Sequence, residues 1–300
     1  MTYPHNGRPV VAGIDGSEGS LRSARLAAEE ARLRHARLEL VTVLPWPSLG
    51  VVAPPPEDGM PAMLLASAES VLESVSAELA PVLGADQVSW RVVQDTTVDG
   101  LRAITTTAQL LVLGSRGAGG VAGLMVGSTA SAVAATAGCP VIVLPDETSV
   151  RVSRRRSVVV GVEGRSGDDE VLAFAFDEAA ARGTDLIAVH AWQDIRLEAA
   201  VYQSISPLVD WSSVRADEER VLAEALAGWR DKQPDVEVRE VTLRDKPARG
   251  LLAAALTAEL LVIGHRRRNR LATLGSTTHA ILHRASCPLA VVALSSSTEG

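Results

Sequence analysis

Short unbroken runs of Val, Ile and Leu alternate along this chain with longer stretches in which apolar residues recur every three or four positions. In the first half the runs are "PVVAGID", "LELVTVL", "VSWRVVQ", "LLVLG" and "PVIVLP". Runs largely without polar alternation suit strands buried on both faces, as parallel strands between two layers of helices are. Between them, "SLRSARLAAEEARLRH" and "MLLASAESVLESVSAELAPVL" carry their apolar residues at helical period. The alternation predicts α/β architecture: a doubly wound, five-stranded parallel sheet with right-handed crossovers.

The pattern is written twice. "VVAGIDGSEGS" (residues 10–20) returns as "VVVGVEGRSGD" (158–168), and "LELVTVLPW" (38–46) as "LIAVHAWQD" (186–194). "GLRAITTTAQLLVLG" (100–114) returns as "GLLAAALTAELLVIG" (250–264), and "AGCPVIVL" (137–144) as "ASCPLAVV" (285–292). The period is too long for a solenoid and implies two duplicated domains. The expected boundaries are 1–148 and 156–300, joined by 149–155 within the charged stretch "PDETSVRVSRRRS".

Composition narrows the class. With 47% hydrophobic and 22% charged residues the chain reads as a folded, water-soluble protein. It has no apolar run long enough to span a bilayer and no signal-peptide pattern, so a cytoplasmic protein without a membrane partner is expected. A formal charge of −7 argues against a general nucleic-acid binder. The runs "RVSRRR" and "RRRNR" lack interleaved aromatics and are expected to be solvated. Cys139 and Cys287 each precede a proline at the head of an apolar run and are expected to be buried, inert thiols.

In open α/β sheets ligands bind outside the carboxyl ends of strands, where strand order reverses. The first run ends in Asp15 and small residues, and the fourth ends in "GSRGAGGVAGLMVGST" (114–129). Gly114 and Gly117 are expected to let backbone approach a ligand and to adopt positive φ. Gly127, Ser128 and Thr129 open the helix pattern "STASAVAATAG", whose stop signal is Gly138, and its N-terminal N–H groups suit phosphate oxygens. Arg116 adds a positive charge. Asp15 is either a helix cap or an acceptor for an adenine amino group or a ribose hydroxyl. The inner "GAGGVA" imitates a dinucleotide fingerprint, yet it follows the fourth run rather than the first, and Gly127-Ser128 would interrupt its helix. Asp146 follows the fifth run, next to the linker. The loop has no Gly-Lys-Ser/Thr end either, so it is not a Walker A loop. His279 and His283 are spaced i, i+4 without a third ligand and count as ordinary helix residues, so no metal site is expected. The proline-rich segment 45–63 is expected to be a loop near the mouth of the site.

The spacing Gly114-x-x-Gly117, nine residues, then Gly127-Ser128 resembles G-2x-G-9x-G-S/T, the ATP-binding signature of the universal stress protein family. Asp15, "ELVTV" and "GCPVIVLP" resemble that family too, and the resemblance covers the chain as a tandem pair. It implies strand order 3-2-1-4-5 and fifth strands, around Val141–Leu144 and Leu289–Val292, that pair the two domains edge to edge. It also implies ATP in the crevice between strands one and four. Gly13, Asp15 and Val41 would flank adenine and ribose, and Gly114, Gly117, Gly127, Ser128 and Thr129 would hold ribose and phosphates. The function implied is a nucleotide-dependent regulator of stress or dormancy adaptation. It would have no catalytic base, slow hydrolysis at most, Mg²⁺ with the phosphates, a homodimeric state and an unknown regulatory protein partner. The alternative is a partner-binding scaffold with vestigial sites. An adenylate-forming enzyme is disfavoured, because "DGSEGS" is not a Ser-Gly-Gly-x-Asp-Ser loop.

The second half departs from the signature. Arg267 replaces the second glycine, the loop is shorter, and Glu163 replaces the aspartate. Gly161, Gly264, Gly275, Ser276 and Thr277 persist as a possible anion site. The cluster Arg266, Arg267, Arg268 and Arg270 would clamp phosphates or lie solvated. Lost or weakened ATP binding is the expectation there.

Overall fold

The computed structural model describes residues 7–45, 62–117, 126–145, 157–164, 167–192, 210–266 and 273–294. The first half runs β1 (Val10–Gly13), α1 (Glu18–Leu33), β2 (Leu38–Leu44), α2 (Ala62–Leu83), β3 (Val88–Gln94), α3 (Thr97–Ile104), β4 (Leu110–Gly114), α4 (Ser128–Thr136) and β5 (Val141–Leu144). The second half repeats it as β6 (Ser157–Gly161), α5 (Asp168–Arg182), β7 (Asp185–Trp192), α6 (Trp211–Lys232), β8 (Val238–Arg244), α7 (Pro247–Ala254), β9 (Leu260–Arg266), α8 (Ser276–Leu282) and β10 (Leu289–Leu294). The expected proline-rich loop lies mostly outside the described residues; its last two residues, Ala62 and Met63, open α2. Asp146, the linker and most of both arginine runs also fall outside them.

Each half has the order 3-2-1-4-5, and the halves merge into one ten-stranded sheet, β3-β2-β1-β4-β5-β10-β9-β6-β7-β8. Pairing is parallel within each half and antiparallel at the join, where Leu289 faces Val143 and Val291 faces Val141. The join covers an edge of each half that would otherwise stay open. Alternate strand residues feed two cores. Val10, Ala12 and Leu40 pack under α1, α2, α5 and α6, while Val11, Val41 and Leu111 pack under the other four helices. The helix α1 shows how sequence sets this packing. Its alanines 24, 27, 28 and 31 form a small-residue stripe, fully or almost fully buried, which lets the helix lie close to the sheet.

Next to the join, the C-terminal turns of α1 and α5 meet in a buried square of charges. Arg34 bonds both Glu30 and Glu178, and Arg182 bonds both Glu178 and Glu30. Glu259 adds a contact to Arg182 at 3.5 Å. Burial, with Glu30 alongside, pushes Glu178 up to about 7 against the pull of the two arginines. Once Glu178 is ionised, alternating signs let each carboxylate accept from both guanidinium groups, which offsets part of the cost of removing these charges from water.

Both cysteines are buried and free. Burial pushes the Cys139 thiol up to about 12 and Cys287 to about 11, as structural thiols require. Gly138 does not end α4 with a left-handed turn. The cap is Ala137 in an extended conformation, and Gly138 instead lies tight against the Thr105 carbonyl, its N–H bonded to Thr105 Oγ1 at 2.8 Å. Among the described residues no helix is long and apolar enough to cross a membrane.

Candidate functional site

The strands β1 and β4 are neighbours, Val10 opposite Leu110 and Ala12 opposite Val112. The chain continues from β1 into β2 on one side and from β4 into β5 on the other. Their C-terminal turns therefore diverge and leave a crevice at the point of order reversal. The crevice is a cavity of about 600 Å³, a volume suited to a small-molecule ligand. The β1 turn contributes Gly13 and Asp15, and β2 contributes Val41 and Thr42. The segment Gly114–Gly117 brings Arg116 to the facing wall, and Gly127, Ser128 and Thr129 complete it at the start of α4. All nine residues singled out in the first half thus line one cavity, although they come from four separate segments.

Asp15 is not the cap of α1. Ser17 is, its Oγ accepting from the Ser20 N–H at 3.1 Å. The Asp15 carboxylate accepts from the Ser17 N–H at 3.0 Å and holds the turn. Its other oxygen lies against Gly117, where a Cβ would collide with it. The left-handed residue of this turn is Gly16, at φ +80°.

Neither Gly114 nor Gly117 has positive φ, contrary to expectation. Gly114 is needed for another reason. A Cβ there would sit 3.0 Å from the Gly19 carbonyl carbon, so the glycine lets the end of β4 touch the first turn of α1. The Gly127 N–H donates to the Ser115 carbonyl at 2.6 Å, which ties the two ends of the glycine loop together. Gly127 caps α4 without a side-chain hydrogen bond. The orphan N–H groups and the positive dipole end of that helix therefore face the cavity.

Sequence reasoning missed the polar groups Ser20, Thr42, Thr97 and Ser115 of the cavity wall, of which Thr42 and Ser115 bear most on it. Thr42 donates to the Ile14 carbonyl at 2.9 Å. Ser115 is 2% exposed, and its hydroxyl has no hydrogen-bond partner among the described residues of the crevice wall. Each had a signal: Thr42 is the polar residue in an otherwise apolar strand end, and Ser115 directly follows the first glycine. Asp15 is the single carboxylate among the described lining residues.

The equivalent crevice between β6 and β9 is spanned by the chain's own groups. Glu163, after β6, pairs with Arg266, at the end of β9, at 3.6 Å. The Asp168 carboxylate accepts from the Glu163 N–H at 3.3 Å and the Gly164 N–H at 2.6 Å. The corresponding position in the first half holds the neutral hydroxyl of Ser20, 3.4 Å from the Asp15 nitrogen. His190 stands in place of Thr42. Its Nδ1 contacts the Val162 carbonyl at 2.9 Å, and its Nε2 contacts Glu218 of α6 at 2.8 Å. Gly161 packs against Leu251 and Ile263, and Gly264 lies inside β9 against Val171 and Leu294. Gly161 thus packs as Gly13 does against Leu101 and Leu113, and Gly275, Ser276 and Thr277 keep the first-half form as the cap and first turn of α8. Arg267, Arg268 and Arg270 lie outside the described residues.

The sequence model of the universal stress protein family matches residues 7–145 and 154–293. One universal stress protein of Mycobacterium tuberculosis is 35% identical over 308 aligned residues, covering 97% of this chain and 99% of its own length. A second from that organism is 35% identical over 303 residues, covering 97% and 98%. The crystal structure of a universal stress protein from Archaeoglobus fulgidus superposes with a TM-score of 0.67 at 18% identity, covering 98% of this chain and 99% of that one. That last likeness is one of fold.

Proposed function

This chain belongs to the universal stress protein family as a tandem pair of its domains, and we propose that it binds ATP in its first crevice and acts as a nucleotide-dependent regulator of stress or dormancy adaptation. The observation that carries this reading is convergence: nine residues from four segments line one cavity of nucleotide size. On this reading Gly13, Asp15 and Val41 face the adenosine end. The glycine loop with Arg116, and the α4 start with Ser128 and Thr129, face the phosphates. The uncapped α4 N-terminus and the unpartnered Ser115 hydroxyl fit an anionic, hydrogen-bonding ligand.

Hydrolysis is slow or absent on this reading. Phosphoryl transfer to water needs a group that positions the attacking water, and Asp15, the single candidate acid among the described lining residues, is already engaged in holding its turn. Mg²⁺ would enter on the phosphate oxygens rather than in a preformed carboxylate cage. On this reading the second half has lost or weakened ATP binding, in keeping with the Glu163–Arg266 pair and the Asp168 carboxylate at the corresponding turns. The reading extends to a cytoplasmic homodimer that signals to a regulatory protein partner.

Mass spectrometry of small molecules released from the purified, denatured chain, together with calorimetry against ATP, tests this. The expected result is adenine nucleotide at one equivalent per chain. No nucleotide released, and no heat at millimolar ATP, would leave the second reading, a partner-binding scaffold, which the self-spanned second crevice favours.

A further inference from the structure

The helix α8 ends in two histidines one turn apart, His279 within it and His283 as its C-cap. Their rings come together, with centroids 4.4 Å apart and planes tilted by 44°. Side chains at i and i+4 lie one above the other on a helix, so the pair shares one face. His279 is exposed and His283 half-buried. Neither imidazole is hydrogen-bonded to a carboxylate or carbonyl among the described residues. The contrast within the same half is His190, whose two ring nitrogens are both occupied.

The separation is informative. Two imidazoles bound to one metal ion, each through a nitrogen about 2.0 Å from it, hold their centroids roughly 4.5 Å apart at a bite near 90°. A tetrahedral bite opens that separation to roughly 5 Å. The observed 4.4 Å lies close to both, so the pair is near the separation that shared ligation of one ion needs.

We propose that His279 and His283 form a bidentate site for a divalent transition-metal ion of high imidazole affinity, Cu²⁺ or Ni²⁺. Among the described residues no group of three or more His, Cys, Asp or Glu side chains is placed to hold a metal, so water fills the remaining positions and the ion exchanges freely. Chelation across the last turn fastens α8, the helix that starts at the altered second crevice. The half that lacks the intact nucleotide signature would then answer a different class of ligand. This proposal does not depend on ATP binding by the first half.

The test uses the metal-free full chain. Titration with Cu²⁺ followed by electron paramagnetic resonance, and with Ni²⁺ by calorimetry, is expected to show one ion at roughly micromolar affinity. The Cu²⁺ spectrum should carry coupling from two nitrogens. His279→Gln and His283→Gln should each weaken binding at least tenfold, with unchanged circular dichroism. In NMR spectra the ring protons of these two histidines should broaden before those of His35, His190 and His265. Parental affinity in the folded double variant would overturn the assignment, as would earlier broadening at any other histidine.

Discussion

The two crevices share a fold and differ in what spans them. In the first, the turns after β1 and β4 leave a cavity of about 600 Å³ that, among the described residues, has a helix start without a side-chain cap and a hydroxyl without a partner. In the second, the same turns are joined by the Glu163–Arg266 pair, and the β6 turn is held by Asp168. The topology is equal in both, but β9 runs on to Arg266 where β4 ends at Gly114, and a few side chains differ: Ser20 against Asp168, Thr42 against His190, Asp15 against Glu163. Each change adds a charge, an ionisable ring or a longer side chain where the first half has something smaller or neutral. Duplication preserved the scaffold while a handful of polar substitutions changed what lines its crevice.

The seam is where the halves are alike, and it yields the largest predicted effect. Glu30→Ala and Glu178→Ala each leave two buried arginines short of a partner and should each cost about 3–5 kcal/mol. Urea melts should give similar losses for the two variants. A clear inequality would show that the square is less symmetric in energy than in geometry.

The glycines that open the two loops give the next contrast. Gly114→Ala forces a methyl onto the backbone of α1, which cannot yield, and should cost about 1–3 kcal/mol. Gly264→Ala meets the side chains of Val171 and Leu294, which can shift, so it should cost less. Equal losses of stability would remove this distinction. A smaller effect, confined to binding, is expected for Gly117→Ala. The methyl displaces the Asp15 carboxylate and should weaken nucleotide affinity about tenfold, or about 1.4 kcal/mol, with an unchanged melting temperature. Unchanged affinity in a folded variant would remove the glycine loop from the site.

The smallest effect is a pH slope. Glu178 holds its proton up to about 7, above its ordinary 4.5, because of burial and then Glu30. The stability linked to that proton is complete below the ordinary value and is lost as pH rises through about 7. The melting temperature should therefore fall by a few degrees between pH 6 and 8. Glu178→Gln should flatten the slope, and an unchanged slope in that variant would assign it to another group.

Much of this was legible in the sequence, because local pattern carries it. The Val/Leu runs and helical periods fixed the strands and helices, and the duplicated blocks gave the two halves. The spacing of Gly114, Gly117 and Gly127 marked the cavity wall. What escaped depends on contacts distant in the chain. Gly114 and Gly138 read as turn residues, yet each is a close approach to another helix, α1 or the end of α3. Glu30 with Arg34, and Glu178 with Arg182, look like ordinary i, i+4 surface pairs. They are buried only because β5 and β10 join, bringing the ends of α1 and α5 together across more than 140 residues of chain.

The antiparallel join has a consequence for the molecule as a whole. All five strands of one half run one way and all five of the other run the opposite way. Their carboxyl ends, and with them the two crevices, therefore open on opposite rims of a single sheet. No small ligand can bridge both mouths, and a macromolecule docked at one rim leaves the other accessible. The chain is a two-poled particle, with chemically distinct ends facing away from each other.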